Sequence, residues 1–377
     1  MKILTKLVNW WYDQDYNIDT RHLSLFRIFF CLYTIFIIGV PNYLWINTNH
    51  AIPFFTPKLS LGIFFTDLPP PFFFITITVL INLLFGFLLF GFFTRPVAIS
   101  LSVLMLVGHT FKYSFGKIDH DIFFVLLPLL LSNSGWGNYF SLDKIRYPEI
   151  IKRNFFSVRY IALFFAYAMF IAGFTKYLGG WLNLDSKAVF YHVFQCQTLV
   201  DTPPPASSFV MKYFNNNYSE FVDYVIVFFE IGFLLAVAKL SIFRIFILLT
   251  LIFHFINFIT LGIGFIGNVP LYILFIRWQK IIDLSTINKL NFSIGSLITF
   301  PNFFIMILIL LVQFFVIYGV NFSPILMKVS TLKLLFIYFG KAYSFKWIAL
   351  PILLTIILFS PKLYLNQLEF KKNTKLS

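Results

Sequence analysis

The sequence predicts an all-α fold: a polytopic integral membrane helical bundle of nine or ten transmembrane helices, with the N- and C-termini cytoplasmic. Three observations carry this reading. Of 377 residues, 59% are hydrophobic and only 12% are charged, whereas a soluble domain carries roughly 25% charged residues. The mean hydropathy is +0.84, and the 54 phenylalanines push the same way. Apolar runs also recur along the chain at the length, about 20 residues, that a helix needs to cross a hydrocarbon core about 30 Å thick. A soluble enzyme, a disordered tail and a disulfide scaffold are thereby excluded.

Taken in order, the runs predict spans near 22–41, 71–93, 97–115, 118–134, 157–179, 219–240, 241–261, 264–277, 301–320 and 346–361. The eighth is short for a span. The tight connections around 94–96 and 240–241 imply helical hairpins. Before the first run, Trp10, Trp11 and Tyr12 among charges read as an interfacial helix. Asp13, Asp15 and Asp19 precede the first long run, and no small-residue cleavage pattern follows it, so no cleavable signal is expected. The organisation expected is a cytoplasmic interfacial segment (1–21), a transmembrane core (22–277), and a C-terminal transmembrane hairpin with a basic tail (278–377).

The formal charge of +14 is scattered between apolar runs, which suits flanks that orient spans and argues against a nucleic-acid partner. With the N-terminus in the cytoplasm, the inner segments collect Arg21, Arg95, Lys144, Arg146, Arg159, Lys239, Arg244 and Arg277, among others, while the outer connections hold far fewer. This bias predicts both termini inside, with the ends of spans carrying His120 and Lys176 on the outer face, and the localisation expected is the cell inner (cytoplasmic) membrane. Cys31 and Cys196 are too few and too separate for a disulfide framework, and no CxxC offers a dithiol. Two outer connections hold the proline clusters Pro69–Pro71 and Pro203–Pro205. These loops either roof a cavity or simply connect.

Ionisable groups inside apolar spans are the informative residues, because each costs a few kcal/mol at the bilayer centre unless paired or hydrated. They are Arg27, His109, Asp119, His120, Asp121, Lys176, Glu230 and His254, with Asn257 beside them. Lys176 ends the fifth span just before Trp181. It reads either as a snorkelling lysine with an aromatic-belt partner or as a partly buried amine that desolvation makes a general base. His120, between Asp119 and Asp121, reads as a proton shuttle or as part of a hydrated helix cap. His254 and Asn257 are three apart and share a helix face. Glu230 has no charge within a turn, so it needs a partner from another helix, with His254 or Arg27 as the candidates. Interhelical glue is the plainer reading for these three groups. The six dispersed histidines show no HxxxH or HxxE spacing, so no metal site is expected.

The order of these motifs resembles the HTTM (horizontally transferred transmembrane) family, which includes the vitamin K-dependent gamma-carboxylase. The residues that carry the resemblance are Leu23-Ser24-Leu25-Phe26-Arg27-Ile28, Gly91-Phe92-Phe93-Thr94-Arg95, Lys117-Ile118-Asp119-His120, Phe170-Ile171-Ala172-Gly173-Phe174-Thr175-Lys176 with Trp181, and Phe253-His254 with Asn257. It covers about residues 20–275. It implies that Lys176, as a free amine, deprotonates reduced vitamin K or a menaquinone-type hydroquinone, with His120 as helper and O2 and CO2 as co-substrates. The outcome would be carboxylation of a glutamate in a secreted or membrane peptide or protein. Trp181, Glu230, Arg27, His254 and Asn257 would line the substrate or cofactor pocket, open sideways to the lipid bilayer and its quinone. Thr175 stands where the carboxylase has a first lysine, and no counterpart of the carboxylase's large extramembrane portion is expected in these 377 residues. A compact member of the wider family serves in maturing a secreted bacterial peptide toxin of the sporulation-delaying type. The alternative function is therefore a non-catalytic membrane factor for maturation or export of such a peptide, holding it on outer loops that include His192 to Asp201. A transporter using Glu230, His254 and Arg27 as a buried relay ranks last, because no pair of interrupted, inverted-repeat spans is visible.

Overall fold

A computed structural model describes residues 18–47, 55, 60–115, 121–147, 156–198, 203–213 and 216–276, and every regular element among them is helical. The interfacial stretch before residue 18, His120 with Asp119, and the last two expected spans lie outside the described residues. The chain divides into two units, residues 1–33 with 40–276 and residues 34–39 with 277–377. The described part of the second includes the π-helical turn Thr34–Ile38. The rest of the description concerns the first.

The helices are α1 (Thr20–Tyr33), α2 (Pro71–Phe90), α3 (Thr94–Lys112), α4 (Ile122–Leu131), α5 (Leu142–Arg146), α6 (Phe156–Leu178), α7 (Ala188–Thr198), α8 (Ser207–Tyr213), α9 (Asn216–Ala236), α10 (Leu240–Leu261) and α11 (Val269–Leu274). Five stretches among the described residues are long and apolar enough to cross a membrane: Thr20–Ile38, Pro71–Phe90, Thr94–Phe115, Val158–Leu178 and Leu240–Leu261. Helix α9 has 21 residues but carries Glu220, Asp223 and Glu230, so it has the length of a span without uniform apolarity.

Two expected spans come out shorter. The run 118–134 yields α4, of 10 residues, which reaches about 15 Å, half of a bilayer core. Pro128 lies inside it and removes a backbone donor. The Ser102 hydroxyl of α3 enters the weakened ladder, donating to the Val125 carbonyl (2.7 Å) and accepting the Leu129 N–H (2.9 Å). The run 264–277 yields a 3-10 turn, Ile266–Asn268, and the six-residue α11. Arg244 of α10 donates through Nε to the Phe275 carbonyl just beyond it, at 2.8 Å.

Helix ends explain the hairpins. Gly91, at φ +64, closes α2 in the left-handed conformation, and the Phe92 N–H returns to the Phe87 carbonyl at 2.9 Å. Helix α3 then begins with its first amides on a carboxylate, since Asp143 accepts from the Phe93 and Thr94 N–H groups at 2.8 and 2.7 Å. The wholly buried Arg27 of α1 donates to the Phe140 carbonyl at this end of the bundle. Its guanidinium occupies the space a side chain at Gly91 would take, 2.2 Å from the ideal Cβ.

The most extensive pairing is between α6 and α9, and Gly173 sets its spacing. A Cβ at Gly173 would lie 2.8 Å from Glu230 Cβ and 2.9 Å from the Ile231 backbone nitrogen. Only the missing side chain lets the two backbones approach this closely. Gly173→Ala is expected to lower the thermal midpoint in detergent, costing about 1–3 kcal/mol by overpacking. Helical circular dichroism of the folded state should be unchanged. An unaltered midpoint would show that the contact is slack.

Candidate acid–base site between α6 and α9

One turn beyond Gly173, Lys176 projects from the same face of α6. Its ammonium donates to both oxygens of Glu230, at 2.8 Å to Oε1 and 2.6 Å to Oε2. The pair is asymmetric in exposure: 5% of the Glu230 side chain is accessible against 24% for Lys176. A carboxylate in an apolar bundle is tolerable only with a partner, and α6 supplies that partner where α9 comes closest. This corrects the expected partners of Glu230, neither of which is its counterion. The Arg27 guanidinium reaches Phe140 near the α2–α3 turn, and His254 holds the Tyr272 hydroxyl through Nδ1 at 2.7 Å.

Trp181 completes the site through a local turn. Helix α6 stops at Leu178, Gly180 adopts φ +80, and the Trp181 N–H returns to the Lys176 carbonyl at 3.1 Å. The reversal brings the indole over the lysine, with Nζ 5.4 Å from the ring centroid, within cation–π range. The exposed His192 of α7 lies tilted against the indole, with ring centroids 5.6 Å apart. The segment is tied down by the wholly buried Asp223. That carboxylate caps α7, accepting from the Ala188 N–H (2.8 Å), the Val189 N–H (2.9 Å) and the Ser186 hydroxyl (3.0 Å). The Tyr224 hydroxyl adds a bond to the Leu182 carbonyl at 2.9 Å. The loop after α6 is therefore a built roof fastened to α9, with the second proline cluster leading into α8.

The structure thus joins Lys176, Glu230 and Trp181. It assigns His254 and Asn257 elsewhere: His254 is buried, stacks on Phe265 at 3.7 Å and bonds Tyr272 of α11. Asn257 is a half-buried residue of α10. Arg27 lies against Gly91 and Phe140, at the α2–α3 turn, and Lys176 lies in the last turn of α6. His120 lies outside the described residues.

A second polar cluster forms where α3 ends. Gly108 leaves room for the Tyr43 ring, 2.3 Å from its ideal Cβ, and the Tyr43 hydroxyl reaches His109 Nδ1 at 2.7 Å. His109 Nδ1 is also 2.9 Å from the Met105 carbonyl, and the Tyr43 hydroxyl is 3.2 Å from it. The set closes when Nδ1 carries the hydrogen, which leaves Nε2 facing Asp121 Oδ2 at 4.0 Å. Lys112 donates to the same carboxylate oxygen. Burial pushes the Tyr43 phenol well above its ordinary range, and the neighbouring Tyr113 and Asp121 add to the shift. Sequence reading singled out His109 and Asp121 but not Tyr43 or Tyr272, and it named Gly173 only as part of the run ending at Lys176. The one available signal was the spacing of Gly173 three residues before Lys176. Among the described residues no group of three His, Cys, Asp or Glu side chains forms a metal site.

No protein-family model, curated protein or solved structure matches this chain.

Lys176→Met would strand a buried carboxylate, and Glu230→Gln would leave the ammonium without its counterion. Each single variant is expected to lose about 3 kcal/mol of stability. The double variant should recover most of it, measured as detergent thermal midpoints. Additive losses in the double variant would contradict the pairing.

Proposed function

We propose that the chain is an inner-membrane enzyme of the HTTM, vitamin K-dependent gamma-carboxylase type, with nine or ten spans, cytoplasmic termini and its reaction centre toward the outer face. The observation that carries this reading is the Lys176–Glu230 pair. It is an amine open to the surface on one side and bound to a buried carboxylate on the other, at 2.6 and 2.8 Å. The donor set fits the reactive end of a reduced vitamin K or menaquinone-type hydroquinone. An indole 5.4 Å from Nζ offers a flat apolar wall, and the amine stands at its edge. Such a hydroquinone, with O2, supplies the base strength that removes a glutamyl γ-proton before CO2 is fixed.

The work of the chain's own groups follows from the pair. One proton is shared between Lys176 and Glu230. On nitrogen it gives an ion pair; on the carboxyl oxygen it gives a neutral pair with a free amine. The second form takes a proton from an acidic hydroxyl brought against Trp181. Lys176 is then an ammonium beside a protonated Glu230, whose carbonyl oxygen accepts a hydrogen bond from it while the carboxyl proton stays on the other oxygen. This replaces the isolated free amine of the family resemblance with a two-residue acid–base device. His120 is the helper in this reading, by the same resemblance.

The second reading, a non-catalytic factor for maturing or exporting a secreted peptide, draws on the roof. Helices α7 and α8 are fixed in place, yet Tyr191, Phe194, Phe209 and Tyr213 are exposed on them. The deciding assay is turnover of a reduced naphthoquinone by the purified protein in lipid. Lys176→Ala is expected to lower the rate by about 10²–10⁴-fold, the usual share of a positioned acid or base, while the protein stays folded and inserted. Full activity in that variant would remove Lys176 as the base. Absence of turnover in the folded wild type would favour the peptide factor.

A further inference from the structure

The Trp181 indole has two polar neighbours, and they stand on different helices. One is Lys176 of α6, with Nζ 5.4 Å from the ring centroid. The other is His192 of α7, whose ring centroid is 5.6 Å away and whose plane is tilted by 38°. The reaction proposed above uses the first contact and gives the second no task.

The backbone of Trp181 is held on both sides of its Cα. Its N–H returns to the Lys176 carbonyl at 3.1 Å, and its carbonyl accepts from the Ser186 hydroxyl at 2.8 Å. That hydroxyl also reaches Asp223 Oδ2 at 3.0 Å. Backbone bonds fix where the side chain starts but not its rotamer, and Trp181 is only half-buried. The ring is therefore placed by what it touches.

Helix α7 gives that contact a firm base. Asp223 caps its first turn through the Ala188 and Val189 amides, and Val193 is buried against the bundle. His192 is four residues beyond Ala188 and shares its helix face. Lys176 is held in turn by Glu230. Asp223 and Glu230 both belong to α9, so one helix anchors both residues that touch the indole.

The geometry points to His192 as a positioning residue that acts through Trp181: its ring holds the indole on the Lys176 ammonium and so controls how reactive that amine is. This role presupposes Lys176 as the reactive amine of the proposed reaction. At exposed sites the attraction between an ammonium and an aromatic face is worth about two- to fivefold in an equilibrium constant. An indole that swings away leaves the amine uncovered by that factor. The contact needs a ring rather than an imidazole proton, since 5.6 Å is an ordinary centroid separation for paired aromatic rings.

The test uses the full-length protein in lipid nanodiscs at fixed pH. The rate at which a water-soluble N-hydroxysuccinimide ester acylates Lys176 is followed by peptide mass spectrometry, with turnover of reduced naphthoquinone measured beside it. His192→Ala is expected to raise the acylation rate about two- to fivefold, and His192→Phe to restore the wild-type rate. His192 is exposed, so both substitutions spare the core, and thermal midpoints confirm the fold. Trp181→Leu should raise the rate as His192→Ala does, and combining the two should add nothing. An unchanged rate in His192→Ala, no restoration by His192→Phe, or an effect of His192→Ala that persists in Trp181→Leu overturns the proposal. Acylation needs no turnover. A folded wild type that shows this acylation pattern without turning over the quinol removes the carboxylase-type reading and leaves the positioning role of His192 standing.

Discussion

A carboxylate inside an apolar bundle has to find a cation, and where it finds one determines which helices pack. Glu230 finds Lys176 only because Gly173 allows α6 and α9 into backbone contact one turn away. The same face of α9 carries Asp223 seven residues earlier, two helical turns along. That second buried carboxylate fastens the segment after α6 by capping α7. One face of α9 thus fixes both the amine and the roof above it. The turn at Gly180 returns Trp181 to the lysine that α9 has already positioned. Pairing, roof and indole wall form one mechanical unit, organised around two carboxylates that water does not solvate.

Several buried polar groups elsewhere in the bundle are settled in pairs. Tyr43 with His109, and Tyr272 with His254, repeat one solution: a phenol placed against an imidazole nitrogen, both buried. Ser102 repairs the ladder that Pro128 interrupts. Arg27 holds the loop before α5 to the α2–α3 turn. The Thr94 hydroxyl and the Trp136 indole N–H, both buried near Gly137, have no hydrogen-bond partner among the described residues.

Much of the helical layout was legible because apolar runs and their punctuation are local properties. Pro71 and Gly91 bound α2 within a few residues of the expected 71–93, and Gly262 ends α10 at the expected place. Helix α4 was overestimated because hydropathy does not register that Pro128 and the turn-rich Ser132–Gly135 segment end it early. Lys176 and Trp181 could be linked from sequence, because the two glycines between them signal a reversal. The partner of Glu230 could not. Its choice depends on how closely two helices pack, and that depends on Gly173 facing α9, which periodicity along one helix does not reveal. For the same reason His254 was matched to a charge when its partner is the Tyr272 hydroxyl, on a helix too short to announce itself.

The most direct test asks whether the Lys176–Glu230 pair is chemical or merely structural. The double variant Lys176→Met/Glu230→Leu removes both charges and keeps apolar volume between α6 and α9, so the fold should persist. Its turnover of a reduced naphthoquinone in lipid should be at background while the wild type is active. Wild-type turnover in a folded double variant would contradict the acid–base role and leave the pair as a clasp between two helices.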